Sequence, residues 1–269
     1  MIDALTAYNL EKPLLAVLST FYGLALLFYS PPRVKFKRSV KLAGFGMHLF
    51  AFLAHTFLLY LRVLSTGRMP FFGTYEALLC VSWCVSFAFV AMIWKQETFG
   101  YGRGATGVSW IIVFIAFMIR LFAPEVTAPR YLPPVLNSAY FIWHVIPGFV
   151  AYGFFTMAFF TALTSFVSDE KTKIKRRALA ELYLWPGVML FTVSLGLGAV
   201  WSRLGWGQWF VPEPKLIFSV ITLGVFTLAL GLRHSKGAGH KGFPWLVILG
   251  FALTVFTFLG TNRGLHAFM

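Results

Sequence analysis

The sequence predicts an all-α polytopic membrane protein, a bundle of about eight transmembrane helices that forms one integral membrane domain over residues 1–269. Composition is the first reason, because 58% of the residues are hydrophobic and only 12% are charged. A soluble domain averages about 25% charged residues, so this chain cannot cover itself with a water-facing surface. The second reason is a series of eight apolar runs. Each run is close to the roughly 20 residues that cross a ~30 Å hydrocarbon core.

The eight runs follow one another with short polar or basic gaps between them. Their bounds are 13–30, 43–64, 75–94, 108–122, 140–167, 182–201, 214–233 and 244–260. In lipid every backbone amide has to be bonded within its own segment, so each run is expected to be a helix. No alternation typical of a β-barrel is visible. The first run follows Lys12 and lacks a basic leader and a small-residue cleavage site, so we expect it to remain as a helix.

The basic residues predict how these helices are oriented. Of the 23 Lys and Arg residues, fifteen fall in alternate gaps, at 33–41, 95–103, 171–177 and 233–241, and eight fall on the opposite side. By the positive-inside rule the fifteen face the cytoplasm, which places both termini on the extracytoplasmic side. The distribution also argues against nucleic acid as a partner, because a nucleic-acid reader needs its cations on one exposed face.

The segment 201–215, WSRLGWGQWFVPEPK, is unusual for a gap between two membrane spans. Trp201, Trp206 and Trp209 stand among glycines, and two prolines lead into the next run. Such a segment is not expected to be a helix of the hydrocarbon core, and it is too aromatic for an ordinary hydrophilic loop. We interpret it as an extracytoplasmic platform at the membrane surface, shaped for a large flat ligand. The alternative is an interfacial tryptophan belt.

Two histidines are expected at the depth of this platform. His144 lies near the outer end of the fifth run, and His266 lies just beyond the eighth. Two imidazoles that face each other across a gap suit the axial positions of a haem iron. The tryptophan faces would then contact the porphyrin, and Arg203 would meet its propionates. The alternative is that both histidines cap helix ends.

Further polar residues lie inside the predicted spans. His55 is near the middle of the second run, and His48 is seven residues earlier on the same helix face. Either is a candidate ligand, since an ionisable residue within a membrane marks a functional site, or simply hydrogen-bonds to a neighbouring helix. Glu76 is the only acid within a predicted span. We expect it to pair with Arg62 or Arg68 at the outer edge or to face a cavity.

Several short motifs stand in a fixed order along the chain. They are GRMPFFGTYEA at 67–77, PPVLNS at 133–138 with HV at 144–145, GAVW at 198–201, WG at 206–207, PK at 214–215 and GLH at 264–266. Together they resemble the CcsA/ResC family of cytochrome c assembly proteins, which is related to CcmC and CcmF. That family is defined by a tryptophan-rich signature of the approximate form WGxxWxWDPKE. The resemblance runs from about Leu42 onward.

The resemblance implies which residues hold haem. The two outer ligands correspond to His144 and His266, and the first intramembrane ligand corresponds to His55. The second intramembrane position falls on Gly231 when counted without gaps from the PK motif, and we take His234, three residues on, as the substitute.

The resemblance also implies what such a protein does. Haem would enter from the cytoplasmic side and reach the outer site, where its vinyl groups meet the thiols of an apocytochrome c CxxCH motif. The chain would be the CcsA-like subunit of a haem lyase, or holocytochrome c synthase, in the bacterial cytoplasmic (inner) membrane. It would act with a ResB/CcsB-type membrane partner.

The signature departs from the family at its end, where Phe210, Pro212 and Glu213 replace the second W-x-W-D and Leu216 replaces the glutamate of PKE. These departures favour a competing hypothesis, a non-catalytic HemX-like membrane protein that regulates haem biosynthesis. A small-solute or quinone channel is a third possibility, which the sparse polar residues in the spans disfavour.

Overall fold

The structure is a computed structural model that describes residues 2–29, 38–93, 101–130, 132–237 and 240–260. Eight helices in these residues are long and apolar enough to cross a membrane, which confirms the predicted all-α membrane architecture. The helices, in chain order, are α1 Ala4–Tyr29, α2 Arg38–Thr66, α3 Thr74–Ala91, α4 Gly102–Phe122, the short α5 Pro124–Thr127, α6 Ala139–Ser165, α7 Glu170–Trp206, α8 Pro214–Lys236 and α9 Gly242–Val255. A π-helical turn, Phe256–Gly260, extends α9.

Several helices are longer than their apolar runs predict, and α1 and α7 show the largest differences. Helix α1 begins at Ala4, where the Asp3 carboxylate accepts a hydrogen bond from the Thr6 backbone N–H at 2.8 Å as an N-cap. Helix α7 has 37 residues and spans about 55 Å, well beyond the ~30 Å hydrocarbon core. Apolar runs stop at charged residues, whereas helices continue through them because Lys, Arg and Glu are good helix formers in water.

The start of α7 is fixed by Asp169, which lies outside the membrane-spanning run. Its side chain accepts a hydrogen bond from the Thr172 backbone N–H at 3.1 Å. The side-chain and backbone hydrogen bonds from Thr172 together hold the pKa of Asp169 below its usual value. This cap sets the helix start twelve residues before the apolar run begins.

The chain divides into two compact units, residues 1–132 and 133–269. In unit 1, α1 packs against α2 and α4, while α3 packs against α4 and α2. Its apolar core includes Leu15, Leu18, Leu58 and Leu79, all fully buried. Polar side chains share this interior. The Tyr22 hydroxyl hydrogen-bonds to the Ser86 hydroxyl at 2.8 Å, and the Ser86 hydroxyl hydrogen-bonds to the Ser109 hydroxyl at 2.9 Å. The interior of unit 1 therefore combines an apolar core with satisfied hydroxyl groups.

Unit 2 is built on the antiparallel pair α6 and α7, with α8 packed on α7 and α9 packed on α6 and α8. Aromatic rings fill the space between helices, as where Phe155 and Phe226 stack with their centroids 4.1 Å apart. Small residues permit the close approach, because a Cβ at Gly187 would lie 2.6 Å from the Phe155 ring. The prediction that the whole chain is one integral membrane domain stays a prediction.

Candidate functional site

His144 is held on α6 by two hydrogen bonds to Ser194 on α7. Its Nδ1 lies 2.7 Å from the Ser194 backbone carbonyl, and the Ser194 hydroxyl donates to the His144 carbonyl at 2.8 Å. A carbonyl can only accept, so Nδ1 carries the proton and the lone pair is on Nε2. Metal-binding histidines use this arrangement, in which one ring nitrogen donates to a carbonyl and the other binds the metal.

Trp201 contributes to the position of the same imidazole. The two rings are nearly parallel, at an interplanar angle of 5° and a centroid distance of 6.2 Å. The indole N–H of Trp201 donates to the Val135 carbonyl at 3.0 Å, and the side chain is only 3% exposed. Trp201 was expected on the surface platform, but its side chain is buried, and its predicted contact with haem stays a prediction. The indole packs into unit 2 because its N–H finds a partner there.

The Trp-rich segment, which was expected to lie between two membrane spans, is partly helical. Helix α7 continues to Trp206 and ends at Gly207, whose φ of 77° lies in the left-handed region that favours glycine. The Ser202 hydroxyl donates to the Gln208 carbonyl at 2.7 Å, and the Arg203 guanidinium hydrogen-bonds to the Gly207 carbonyl. These bonds satisfy the end of the helix, so the non-helical part of the segment before α8 is limited to residues 207–213.

Three aromatic side chains are exposed at the end of α7 and in the turn that follows it. Trp206 is 37% exposed, Trp209 is 60% exposed and Phe210 is 55% exposed. Phe210 occupies the position at which the family signature has a tryptophan. The exposed part of the predicted platform therefore consists of two indoles and a phenyl ring, which present flat apolar faces.

Gly198 makes room for the His144 ring, and this gives a test. A Cβ at Gly198 would lie 2.7 Å from both Nδ1 and Cε1 of His144, too close for any real contact. Since the family resemblance implies that His144 is a haem ligand, we expect Gly198→Ala to displace the imidazole and to lower the amount of haem bound by about 10-fold, the range for losing an outer-shell contact. The measurement is the haem absorbance per protein after purification.

The matched control is Gly196→Ala, two residues earlier on α7, where an added Cβ meets nothing within 4 Å. It removes the same glycine flexibility without touching His144. Equal haem content in the two variants would contradict the role assigned to Gly198.

The structure gives less information on the other two predicted ligands of this end of the chain, His266 and His234. His266 lies outside the described residues. His234 lies on the last turns of α8 with its side chain exposed, while the neighbouring Arg233 is buried. The assignment of His234 as the second intramembrane ligand stays a prediction.

In unit 1, three buried polar residues form a stripe along one face of α2. His48, His55 and Arg62 are spaced by seven residues, and their side chains are 0%, 0% and 2% exposed. A spacing of seven residues returns to nearly the same helix face about 10 Å further along. Tyr22 of α1 contacts both imidazoles, at ring-centroid distances of 5.3 and 6.3 Å.

The two histidines of this stripe differ in their hydrogen bonds. Nδ1 of His48 lies 2.9 Å from the Thr106 hydroxyl. Neither ring nitrogen of His55 has a hydrogen-bond partner among the described residues. The Leu79 main-chain carbonyl faces the His55 ring but does not reach hydrogen-bond geometry. A buried imidazole without a hydrogen-bond partner is costly, so hydrogen bonding to the described residues of unit 1 does not explain the position of His55.

At the end of the stripe, Arg62 is the centre of a buried ion network. Its guanidinium lies 2.9 Å from a Glu76 oxygen and 3.3 Å from a Glu11 oxygen, and it also donates to the Thr127 carbonyl at 2.8 Å. Arg68 forms a second ion pair with Glu76, in which its Nη1 lies 2.8 Å from a carboxylate oxygen of Glu76. Glu76 therefore pairs with both arginines named in the sequence analysis.

Glu11 is the member of this network that sequence reasoning missed. It lies outside the apolar run that begins at residue 13, yet it is inside α1 and fully buried. Ser65 and Tyr75 donate to it at 3.0 and 3.3 Å. The signal that could have found it is Asp3, a helix N-cap residue type that places the helix start a full two turns before Glu11.

These residues fit a haem iron in their donor chemistry. Nδ1–H of His144 is held by a carbonyl, which leaves Nε2 as the ligating nitrogen. His55 offers two ring nitrogens that no described residue satisfies. No group of three or more His, Cys, Asp or Glu that could hold a bare metal ion occurs within the described ranges. Single histidines on separate helices are typical of haem ligation, in which the porphyrin supplies the remaining nitrogens.

Fold and site together define a polytopic helical membrane protein with histidines suited to haem. The model of the cytochrome C assembly protein family matches residues 71–266, well over half of the chain. The chain belongs to this family, as the sequence motifs predicted.

Individual relatives support the same family. Protein NrfI of Wolinella succinogenes is 30% identical over 278 residues, which cover 98% of this chain and 30% of NrfI. The chain therefore spans less than a third of that relative. The cytochrome c biogenesis protein CcsA of Guillardia theta is 25% identical over 279 residues, covering 92% of this chain and 90% of the relative. CcsA of Gloeobacter violaceus is 25% identical over 293 residues, with 84% and 86% covered.

Proposed function

We propose that this protein handles haem as a substrate in the maturation of c-type cytochromes and presents it for covalent attachment to an apocytochrome. The observation that carries the proposal is the orientation of His144 by Ser194 beside the Trp-rich turn of a cytochrome c assembly family member. The names of the CcsA relatives, which are cytochrome c biogenesis proteins, support it.

At the outer site His144 acts as a ligand whose direction is fixed in advance. Its Nδ1–H bond to the Ser194 carbonyl holds the ring and makes Nε2 a stronger donor. The exposed faces of Trp206, Trp209 and Phe210 offer apolar surface to the macrocycle. Arg203 offers a cation for a propionate, and His266 is the second axial ligand implied by the family. These residues would bind and orient the substrate.

Haem supplies the two vinyl groups, and each cysteine thiol of a CxxCH segment adds across one of them. The new bond is a thioether, and the thiol hydrogen goes to the neighbouring vinyl carbon, so no atom is left over. The protein's contribution is to hold haem and peptide in reach of each other. We propose that the chain acts as one subunit of the synthase, with a ResB/CcsB-type membrane protein as its partner.

His55 and His234 are each proposed as intramembrane haem ligands, as the family resemblance implies. The burial of both unpartnered ring nitrogens of His55 supports this role. The ring is fully enclosed by the packed helices of unit 1, so binding haem there requires these helices to move apart. The positive-inside distribution supports the proposed location, the bacterial cytoplasmic membrane with the outer site on the extracytoplasmic face.

Replacing His55 tests whether its imidazole is structural. We expect His55→Leu to lower haem retention and to stabilise the haem-free protein by about 1–2 kcal/mol, because a buried polar group without partners is removed. His48→Leu is the matched control, since His48 has a partner in Thr106 and its loss should destabilise by about 1 kcal/mol. The measurements are thermal unfolding in detergent and haem content. A His55→Leu protein that unfolds earlier but retains its haem would contradict the ligand role.

The HemX-like alternative gains no support from the relatives named above. Its basis was the altered end of the signature, but Phe210 keeps an exposed aromatic ring and Glu213 keeps the negative charge. The deciding experiment is complementation of a bacterial strain that lacks its own CcsA-type protein. Restored covalent haem staining of c-type cytochromes supports haem attachment. Absence of staining, with the protein present in the membrane and binding haem, would instead support a regulatory role.

A further inference from the structure

Trp201 lies between two parts of the proposed outer site. One part is the imidazole of His144, and the other is the Trp206 side chain, which is 37% exposed at the end of α7. The Trp201 indole is nearly parallel to the imidazole, at a centroid distance of 6.2 Å. The Trp206 indole meets Trp201 edge-on, at an interplanar angle of 82° and a centroid distance of 6.3 Å. Trp201 therefore connects the predicted iron ligand to an exposed aromatic face.

Hydrogen bonding and packing hold the Trp201 indole in place. Its N–H donates to the Val135 carbonyl at 3.0 Å, and the centroid of the Phe141 ring lies 5.6 Å from that of the indole. Val135 belongs to the short 3-10 turn Pro134–Leu136. The same turn packs against α7 four residues further on, where a Cβ at Gly205 would lie 2.9 Å from Cγ2 of Val135. A buried indole that is bonded at its N–H cannot turn without moving these neighbours.

The imidazole is confined on its other sides as well. Its Nδ1 lies 2.7 Å from the Ser194 carbonyl, and the Gly198 backbone is so close that an added Cβ would lie 2.7 Å from the ring. Close-packed groups move together, because little free space separates them. A change in the position of Trp201 is therefore transmitted to His144, and an imidazole that is fixed by ligation in turn restricts Trp201.

We propose that Trp201 couples these two parts of the outer site, so that stacking of a flat ligand on Trp206 and axial ligation by His144 strengthen each other. Either event fixes the Trp201 indole, and the second event then has less motion left to restrict. By linkage the effect is reciprocal. Trp201 is thus a positioning residue, which acts through His144 and Trp206. The inference rests on the proposed function, since it takes haem as the flat ligand.

The experiment uses the full chain, purified in detergent and titrated with ferric haem. Trp201→Leu removes the flat ring, whereas Trp201→Phe keeps a ring beside the imidazole and loses only the N–H donor. We expect Trp201→Leu to raise the apparent Kd for haem by about 10-fold, as for the loss of an outer-shell partner of a metal ligand, and Trp201→Phe to raise it by a smaller factor. Electron paramagnetic resonance adds a second measurement, because the g values of low-spin ferric haem depend on the orientation of the axial imidazole planes. These g values should change in Trp201→Leu and stay close to wild type in Trp201→Phe.

A double-variant cycle tests the coupling itself. The fold losses of two independent positions multiply, whereas those of coupled positions do not. Trp206→Leu removes the exposed ring and should weaken haem binding by itself. We expect the double variant Trp201→Leu, Trp206→Leu to weaken haem binding by no more than the larger of the two single losses, because either change already breaks the connection.

Two control variants remove aromatic rings of unit 2 away from His144. Phe226→Leu removes a fully buried ring, which stacks on Phe155 eleven residues, or about 16 Å, along α6 from His144. Trp185→Leu removes a tryptophan that is 51% exposed on α7 and lies sixteen residues, or about 24 Å, before Trp201. Both should keep the wild-type Kd and g values.

Three results would overturn the inference. They are unchanged g values in Trp201→Leu, a double variant whose loss is the product of the two single losses, and an equal loss in Phe226→Leu. If Trp201→Leu fails to fold, the g values of Trp206→Leu decide, because the exposed ring is expected to act on the imidazole through Trp201, and unchanged values would contradict the coupling. Failure of the proposed function is distinguishable, since wild type and His144→Ala would then bind ferric haem alike.

Discussion

His144→Ala is expected to lower the amount of haem attached to apocytochrome c by at least about 100-fold. Loss of an outer-shell contact to a metal ligand typically costs 10- to 100-fold, and here the ligand itself is removed. The measurement is covalent haem staining in the complementation strain, together with the visible spectrum of the purified protein. Added imidazole should restore part of the spectrum, because it can occupy the position that the side chain leaves.

The control for this experiment is His240→Ala. His240 lies in the connection between α8 and α9, where its Nδ1 accepts from the Gly242 backbone N–H at 3.2 Å, and it has no proposed part in haem binding. Equal thermal midpoints of the two variants would exclude misfolding as the cause. A Soret band that persists unchanged in the double variant His144→Ala, His266→Ala would refute the outer site.

Arg62→Ala is expected to destabilise the protein by about 3–5 kcal/mol, the typical effect of removing one partner from a buried ion pair. Glu11 and Glu76 would then lie buried without the cation that joins them, and the Thr127 carbonyl would lose its donor at 2.8 Å. The measurement is the free energy of unfolding in detergent micelles. Helices α1, α2 and α3 each contribute one of these charged side chains, so the loss should loosen all three together.

Two further variants sharpen this prediction. Arg68→Ala should have a smaller effect, since Arg68 is partly exposed and Glu76 keeps Arg62. The double variant Glu11→Gln, Arg62→Met should be more stable than Arg62→Ala, because it removes a buried carboxylate along with its cation. A loss of less than about 1 kcal/mol for Arg62→Ala would show that the network contributes little to stability.

The membrane helices were predictable because they depend on local patterns, whereas the role of His144 as a haem ligand stays a prediction. Eight apolar runs gave eight helices, and the HV motif identified the histidine that α7 orients. The ends of the helices were not predictable from hydropathy, since α1 and α7 continue through charged residues. This is why Glu11 was missed: a carboxylate at a predicted helix border is expected in water, and only its partners keep it buried.

What the sequence by itself determined is the number of spans, the class of protein and the residue types available to bind haem. These follow from the cost of burying amides and charges in lipid, which acts on each segment separately. The tertiary structure alone decided that Trp201 packs inside unit 2, that His55 lacks a partner while His48 has one, and that Glu11 joins Arg62. Each of these outcomes depends on which groups of neighbouring helices lie within about 3 Å of one another, the distance of a hydrogen bond. The sequence of a single segment does not contain that information.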